Sequence, residues 1–180
     1  MNIQEHPNIK LIIGLGNPGP QYASTYHNVG FLFVDYLAKN LPNSKSEILN
    51  SKLLKSNVFM NESGSYVKKA MKRCGAKPHE ILVAHDDSDI ALGNYKLSFD
   101  RSSAGHKGVQ SVIDALGTEK FWRLRIGIRP ASRRNAKALD FVLKKISPAD
   151  REILASTFER ATEALMNEKG WIATGRWSSQ

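Results

Sequence analysis

A histidine in a polar stretch, two asparagines near loop entrances and three aspartates within four residues are the side chains best suited to chemistry. His27 stands in Tyr22-Ala23-Ser24-Thr25-Tyr26-His27-Asn28, ahead of an apolar segment. An imidazole is the side chain best matched to act as a base near neutral pH. Asn17 lies upstream, and Asn61 falls in Phe59-Met60-Asn61-Glu62-Ser63-Gly64. Two amides and a histidine gathered at strand ends can hold a water and polarise an ester carbonyl. Asp86, in His85-Asp86-Asp87-Ser88-Asp89, could accept the ring N–H of His27, fix its tautomer and stabilise the imidazolium. Taken singly, each has a duller use: a turn histidine, a capping asparagine, solvated aspartates.

The same acids could instead take a hard cation. The calcium-loop pattern is incomplete, however, lacking the turn glycine and the closing glutamate, and the five histidines and single cysteine show no zinc spacing. No serine occupies a G-x-S-x-G elbow, and Cys74 lies on a helix face that reads as packed. Direct attack by a water that His27 activates is therefore simpler than a covalent acyl-enzyme. Gly14-Leu15-Gly16-Asn17-Pro18-Gly19 matches G-x-G-x-x-G after a strand. A dinucleotide turn needs a helix opening at that loop, with free N–H groups meeting a pyrophosphate. Pro18 and Pro20 remove two of those donors, and residues 22–27 show no helical stripe, which argues against a nucleotide site.

The elements that must position these groups alternate in type. Ile9 to Leu15, Ile81 to His85 and Arg123 to Ile128 read as strands, the last with one basic face. Lys52 to Phe59 and Tyr95 to Phe99 read as further strands. Helices are predicted from Asn28 to Leu41, ended by Pro42; from Ser63 to Cys74, stopped by Gly75; and from Gly105 to Leu116, closed by Gly117. A last helix has Ser147 as N-cap, Pro148 at its first position and Asp150 in its first turn. It packs through Leu154, Phe158, Ala161 and Leu165 and ends near Gly170. Strands alternating with helices give an α/β fold, with sites where strands end in loops.

The 180 residues suit one domain, 9–180, after an extension over 1–8. No apolar run approaches the ~18–20 residues of a membrane span. Met1 to Lys10 lacks the apolar stretch of a secretory signal and the Arg-rich look of a transit peptide. A lone cysteine excludes an internal disulfide and fits a reducing compartment. The net charge is +9, and Lys120 to Arg151 carries ten Lys and Arg against two Asp. Such clustering favours a polyanionic partner such as nucleic acid.

These motifs resemble those of bacterial-type peptidyl-tRNA hydrolases. Gly14-Leu15-Gly16-Asn17-Pro18-Gly19 with Tyr22 and Thr25-Tyr26-His27-Asn28 resembles the family's opening signature. Phe59 to Gly64, Ala84-His85-Asp86, Ala104-Gly105-His106-Lys107-Gly108 and Arg123 to Ile128 resemble the next four, in the family's order. The resemblance implies a monomeric α/β domain with a twisted mixed sheet and helices on both faces. It implies metal-independent and cofactor-free hydrolysis of peptidyl-tRNA, recycling tRNA from aborted translation, in the cytoplasm or a mitochondrion. His27 would be the general base, Asp86 its orienting acid, and Asn17 would position substrate near the ester. Tyr22, Met60, Asn61, His106 and Lys107 would line the substrate site, and Arg125 would meet tRNA phosphate, with Lys96, on the same strand face as Ser98, able to serve for a clamping Lys absent at Ser98.

Four departures stand out. Tyr26 replaces the usual Arg, Lys107 the usual Asn and Ser98 a phosphate-clamping Lys, and the stretch from Ile48 to Phe59 is short. They motivate an alternative, a weak or inactive relative that binds structured RNA, as chloroplast intron-splicing factors similar to this family do.

Overall fold

Alternating apolar runs and amphipathic segments build a five-stranded sheet in the computed structural model, which describes residues 7–41, 51–130 and 141–166. The strands are β1 (Leu11–Gly14), β2 (Lys52–Lys55), β3 (Ile81–Ala91), β4 (Tyr95–Phe99) and β5 (Trp122–Arg129), in the order β2-β1-β3-β5-β4. The first four in that order are parallel, and β4 closes the edge antiparallel to β5. The helices are α1 (Val29–Asn40), α2 (Ser63–Arg73), α3 (Lys107–Leu116) and α4 (Pro148–Met166).

Strand alternation sends side chains to two cores. Ile12, Leu82, Ala84, Leu124 and Ile126 pack with Phe33, Val34 and Leu37 of α1 and with Leu154 and Phe158 of α4. Leu11, Ile13, Ile81 and Val83 pack with Val67 and Ala70 of α2 and with Val109 and Val112 of α3. The sheet is thus covered on both faces, as continuous apolar strands require. Burying a Leu, Ile, Val or Phe side chain contributes about 1.5–3 kcal/mol, so these two layers hold the strand ends rigidly. Among the described residues, no helix is long and apolar enough to cross a membrane.

β1 has β2 on one side and β3 on the other, so the chain reverses direction across the sheet at β1. In parallel sheets a crevice opens at the carboxyl strand ends at such a point. Two glycines bring α1 tightly onto that crevice. A Cβ on Gly14 would lie 2.2 Å from the Gly30 carbonyl oxygen, and one on Gly30 would lie 2.3 Å from the Ala84 oxygen.

Several boundaries differ from expectation. β2 stops at Lys55, because Asn57 turns the chain with φ +36° and Met60–Glu62 forms a 3₁₀ turn. β3 does not end at His85 but runs on through the aspartates to Ala91, with a register shift between Asp87 and Ala91. The cause is β5: Arg125 Nε meets Asp87 Oδ2 at 2.7 Å, and Arg129 meets Asp89 at 2.9 Å. Acids that read as a solvated turn are cross-strand partners of arginines. β5 is less uniformly basic on its surface than its alternation implies, since Arg123 is buried. Helix α3 begins at Lys107, with His106 as its N-cap. The end of the last helix near Gly170, the extension before residue 7 and the first three residues of the shortened stretch from Ile48 lie outside the described residues.

Candidate active site

The loop after β1 must cross the open strand ends before α1 can begin, and it does so on hydrogen bonds between side chains and backbone. Asn28 is buried; its Oδ1 accepts from the Asn17 N–H at 2.9 Å and its Nδ2 donates to the Asn17 carbonyl at 2.9 Å. Asn17 in turn accepts the Met60 N–H on Oδ1 at 2.9 Å. A backbone donor there fixes the amide orientation and leaves Nδ2 as the uncommitted end of the side chain. Asn17 thereby ties the loop after β1 to the loop after β2. Burying these amides paired avoids the roughly 1–3 kcal/mol cost of an unsatisfied polar group.

The chain then makes a 3₁₀ turn over Tyr26–Asn28 that carries His27 to the middle of β3. There His27 Nδ1 lies 2.8 Å from Asp86 Oδ1. The same oxygen takes His106 Nε2 at 2.9 Å. The tautomer of His106 follows from its other nitrogen, which accepts the Val109 N–H at 3.2 Å; Nε2 must carry the proton and donate to Asp86. His27 likewise donates from Nδ1, leaving Nε2 unprotonated in the neutral ring and without a hydrogen bond among the described residues. The His27 side chain keeps 15 % of its surface open, against 3 % for Asp86.

The electrostatics follow from this burial. For His27, burial disfavours the charged ring, but the charge and hydrogen bond of Asp86 outweigh it and hold the pKa above the usual 6.5; Lys107 pulls it back part of the way. For Asp86, burial opposes ionisation, yet the two imidazoles more than compensate and keep the carboxyl far below the usual range. His85, wholly buried, donates from Nδ1 to the Asp86 carbonyl at 2.7 Å. Burial first, then the nearby His106 and Arg123, push its pKa well down, so it stays neutral. Its ring stands edge-on to His106, with centroids 4.7 Å apart.

The donor atoms of His27, Asp86 and His106 lie within 4.8 Å of one another, so these three could together hold a cation. As the side chains stand, His27 Nδ1, His106 Nε2 and Asp86 Oδ1 are engaged in hydrogen bonds within the trio. The arrangement is that of an oriented imidazole base beside a buried carboxylate.

Residues 11–175 match the family model described as peptidyl-tRNA hydrolase. The chain belongs to the peptidyl-tRNA hydrolase family. A peptidyl-tRNA hydrolase of Elusimicrobium minutum is 41 % identical, with 87 % of this chain and 90 % of the relative covered. One of Aquifex aeolicus is 36 % identical over 88 % of each chain. The crystal structure of the Acinetobacter baumannii peptidyl-tRNA hydrolase superposes with a TM-score of 0.77, at 30 % identity, covering 94 % of this chain and 93 % of that one.

The remaining residues singled out by the family resemblance fall in two groups. Tyr22, half-buried, meets Phe59 edge to face, with ring centroids 6.4 Å apart. Met60 is buried, and Gly108 fits against its sulfur so closely that a Cβ would lie 2.3 Å from it. Asn61 is exposed on the 3₁₀ turn, and Lys107 is exposed at the first position of α3. Lys96 and Arg125 are register partners across β4 and β5, and His85, beside Asp86, is the register partner of Arg125 on β3. Sequence reasoning underrated two residues. Phe59 is a large apolar side chain left 49 % exposed beside Tyr22, and no pattern in one sequence marks a side chain as exposed. Asn28, the staple under Asn17, carries no sequence signal of that role, because its partner is backbone eleven residues away.

Proposed function

We propose that this protein hydrolyses the ester joining a peptide to the 3′ end of tRNA, with His27 as general base. The observation that carries the reading is the 2.8 Å contact between His27 Nδ1 and the buried Asp86 carboxylate, which leaves Nε2 to take a proton. Family membership supplies the substrate class.

The steps follow from the geometry. Neutral His27 removes a proton from water through Nε2 as the oxygen attacks the ester carbonyl carbon. Asp86 holds the ring by its Nδ1–H and stabilises the imidazolium that forms. The carbonyl electron pair moves onto oxygen, and the Asn17 Nδ2, the Asn61 amide and the Lys107 ammonium are the donors offered to it and to the peptide main chain. Collapse expels the ribose oxygen, which takes the proton back from His27. The products are a peptide acid and a free tRNA, with no electron transfer and no second substrate. His106, by sharing Asp86, keeps that carboxylate ionised and aimed. Tyr22 and Met60 flank the peptide side, and Lys96 with Arg125 take tRNA phosphate. The substrate places the reaction where translation runs, in the cytoplasm or a mitochondrion, and a monomer suffices because one chain supplies every group.

Incubation with an N-blocked aminoacyl-tRNA tests this. The expected result is catalytic release of the blocked amino acid and intact tRNA. No release at enzyme concentrations matching the substrate would overturn it.

A further inference from the structure

His27 is fixed to the sheet from one side by Asp86, and what fixes the backbone beneath it is a different set of residues. The preceding side chain, Tyr26, points away from the site and is buried to 6 %. Its ring lies edge to face with Phe141, at a centroid distance of 6.4 Å. Its hydroxyl is hydrogen-bonded to Asp150 in the first turn of α4. Asp150 is itself set in place, since its N–H bonds to the Ser147 hydroxyl at 3.1 Å.

Main-chain contacts run along the same seam. The His27 N–H donates to the Val142 carbonyl at 2.8 Å, and the Ile146 N–H donates to the Ser24 carbonyl at 2.9 Å. Thr25 and Lys145 form an isolated antiparallel bridge. Residues 141–150 thus form a strap laid along the loop that carries the base. The only side-chain hydrogen bond to this strap from within the 3₁₀ turn, among the described residues, is the one from Tyr26 to Asp150.

We propose that Tyr26 and Asp150 form a latch that positions His27, so that the start of α4 takes part in setting the geometry of the base. This rests on the reading of His27 as the base. Neither residue touches substrate; both act through the backbone of the turn. A buried hydroxyl bonded to a carboxylate is a charge-assisted contact, and a buried tyrosine hydroxyl without a partner is costly. Losing the carboxylate therefore leaves the turn free to rotate about its main-chain contacts. A misplacement of about 1 Å at a reacting group can cost about 10²-fold in rate. An arginine at position 26, the residue usual in the family, would reach the same carboxylate with a guanidinium, so the latch admits either chemistry.

The test compares Tyr26→Phe, Asp150→Ala, the double variant and Tyr26→Arg, each assayed well below its melting temperature. Tyr26→Phe and Asp150→Ala are expected to lower kcat about tenfold with KM unchanged, the double variant to be no worse than either, and Tyr26→Arg to recover most of the rate. A readout independent of turnover is the NMR signal of the His27 Nδ1 proton, expected to shift or broaden in Tyr26→Phe and to return in Tyr26→Arg. Unchanged kcat and an unchanged His27 proton signal in Tyr26→Phe, with only the melting temperature lowered, would overturn the latch. So would additive losses in the double variant. If the wild-type protein were inactive, the functional reading would fail, while the NMR comparison would still decide the latch.

Discussion

One oxygen of Asp86 serves two imidazoles, and this sharing sets how the reaction responds to pH. Hydrolysis needs His27 neutral, so the rate rises as pH passes upward through its pKa. Burial lowers that pKa, but Asp86 raises it by more, so the acid limb of kcat/KM is expected above 6.5. Asp86→Asn removes the carboxylate charge; the limb should move to lower pH while the rate falls about 10²–10⁴-fold, because an amide does not enforce the tautomer. Lys107→Met removes a cation that opposes His27 protonation, so the limb should move upward. A pH–rate series on the three proteins checks both signs, and a limb that ignores Asp86 would detach that residue from the base. At this scale His27, Asp86, Asn17 and Asn61 stand out in the sequence by type and spacing, and the structure brings His27 to Asp86 and Asn17 to the backbone beside Asn61. That His106 would share the Asp86 oxygen is not legible there, because it depends on α3 ending its approach with an N-cap imidazole aimed back at β3.

At the scale of elements, the strands and helices followed from apolar periodicity, and β4 matched its expected limits of Tyr95 and Phe99. The largest departure is β3, whose second half is polar and reads as a turn. Its pairing is held by Arg125 and Arg129 on β5, forty residues away in the chain, which local pattern cannot register. The glycines make the sharpest prediction here. Gly64 of α2 packs on α3, where a Cβ would lie 1.9 Å from the Ser111 carbonyl oxygen. Gly64→Ala should therefore destabilise the protein by about 1–3 kcal/mol through overpacking, measured by denaturant unfolding. Gly30→Ala should cost a similar amount and also impair kcat, since Gly30 seats α1 against the Ala84 carbonyl two residues from Asp86. Gly75→Ala meets no neighbour within 4 Å but has φ +61°, so its smaller loss comes from backbone strain alone.

Across the whole molecule, a net charge of +9 argues for a polyanionic substrate, but the clustered bases do not act alike. Arg123 is buried, and burial with the nearby Arg125 draws its pKa down to about 10. Arg125 and Arg129 each spend part of their guanidinium on an aspartate. Among the described residues of β4 and β5, the exposed cation is Lys96 on the edge strand. Lys96→Ala and Arg125→Ala should each weaken tRNA binding and reduce the slope of log affinity against log salt by about 1, whereas Lys39→Ala, at the far end of α1, should leave the slope unchanged. Charge counting gave the partner class, but it cannot separate a solvated arginine from one buried against a sheet, as Arg123 is.

The most direct test of the central claim is single-turnover hydrolysis of peptidyl-tRNA by wild type and His27→Ala, with tRNA affinity measured alongside. A loss of about 10²–10⁴-fold in the cleavage rate at unchanged affinity is the result predicted for a general base. Equal cleavage rates in the two proteins would contradict it and move the chemistry to another group.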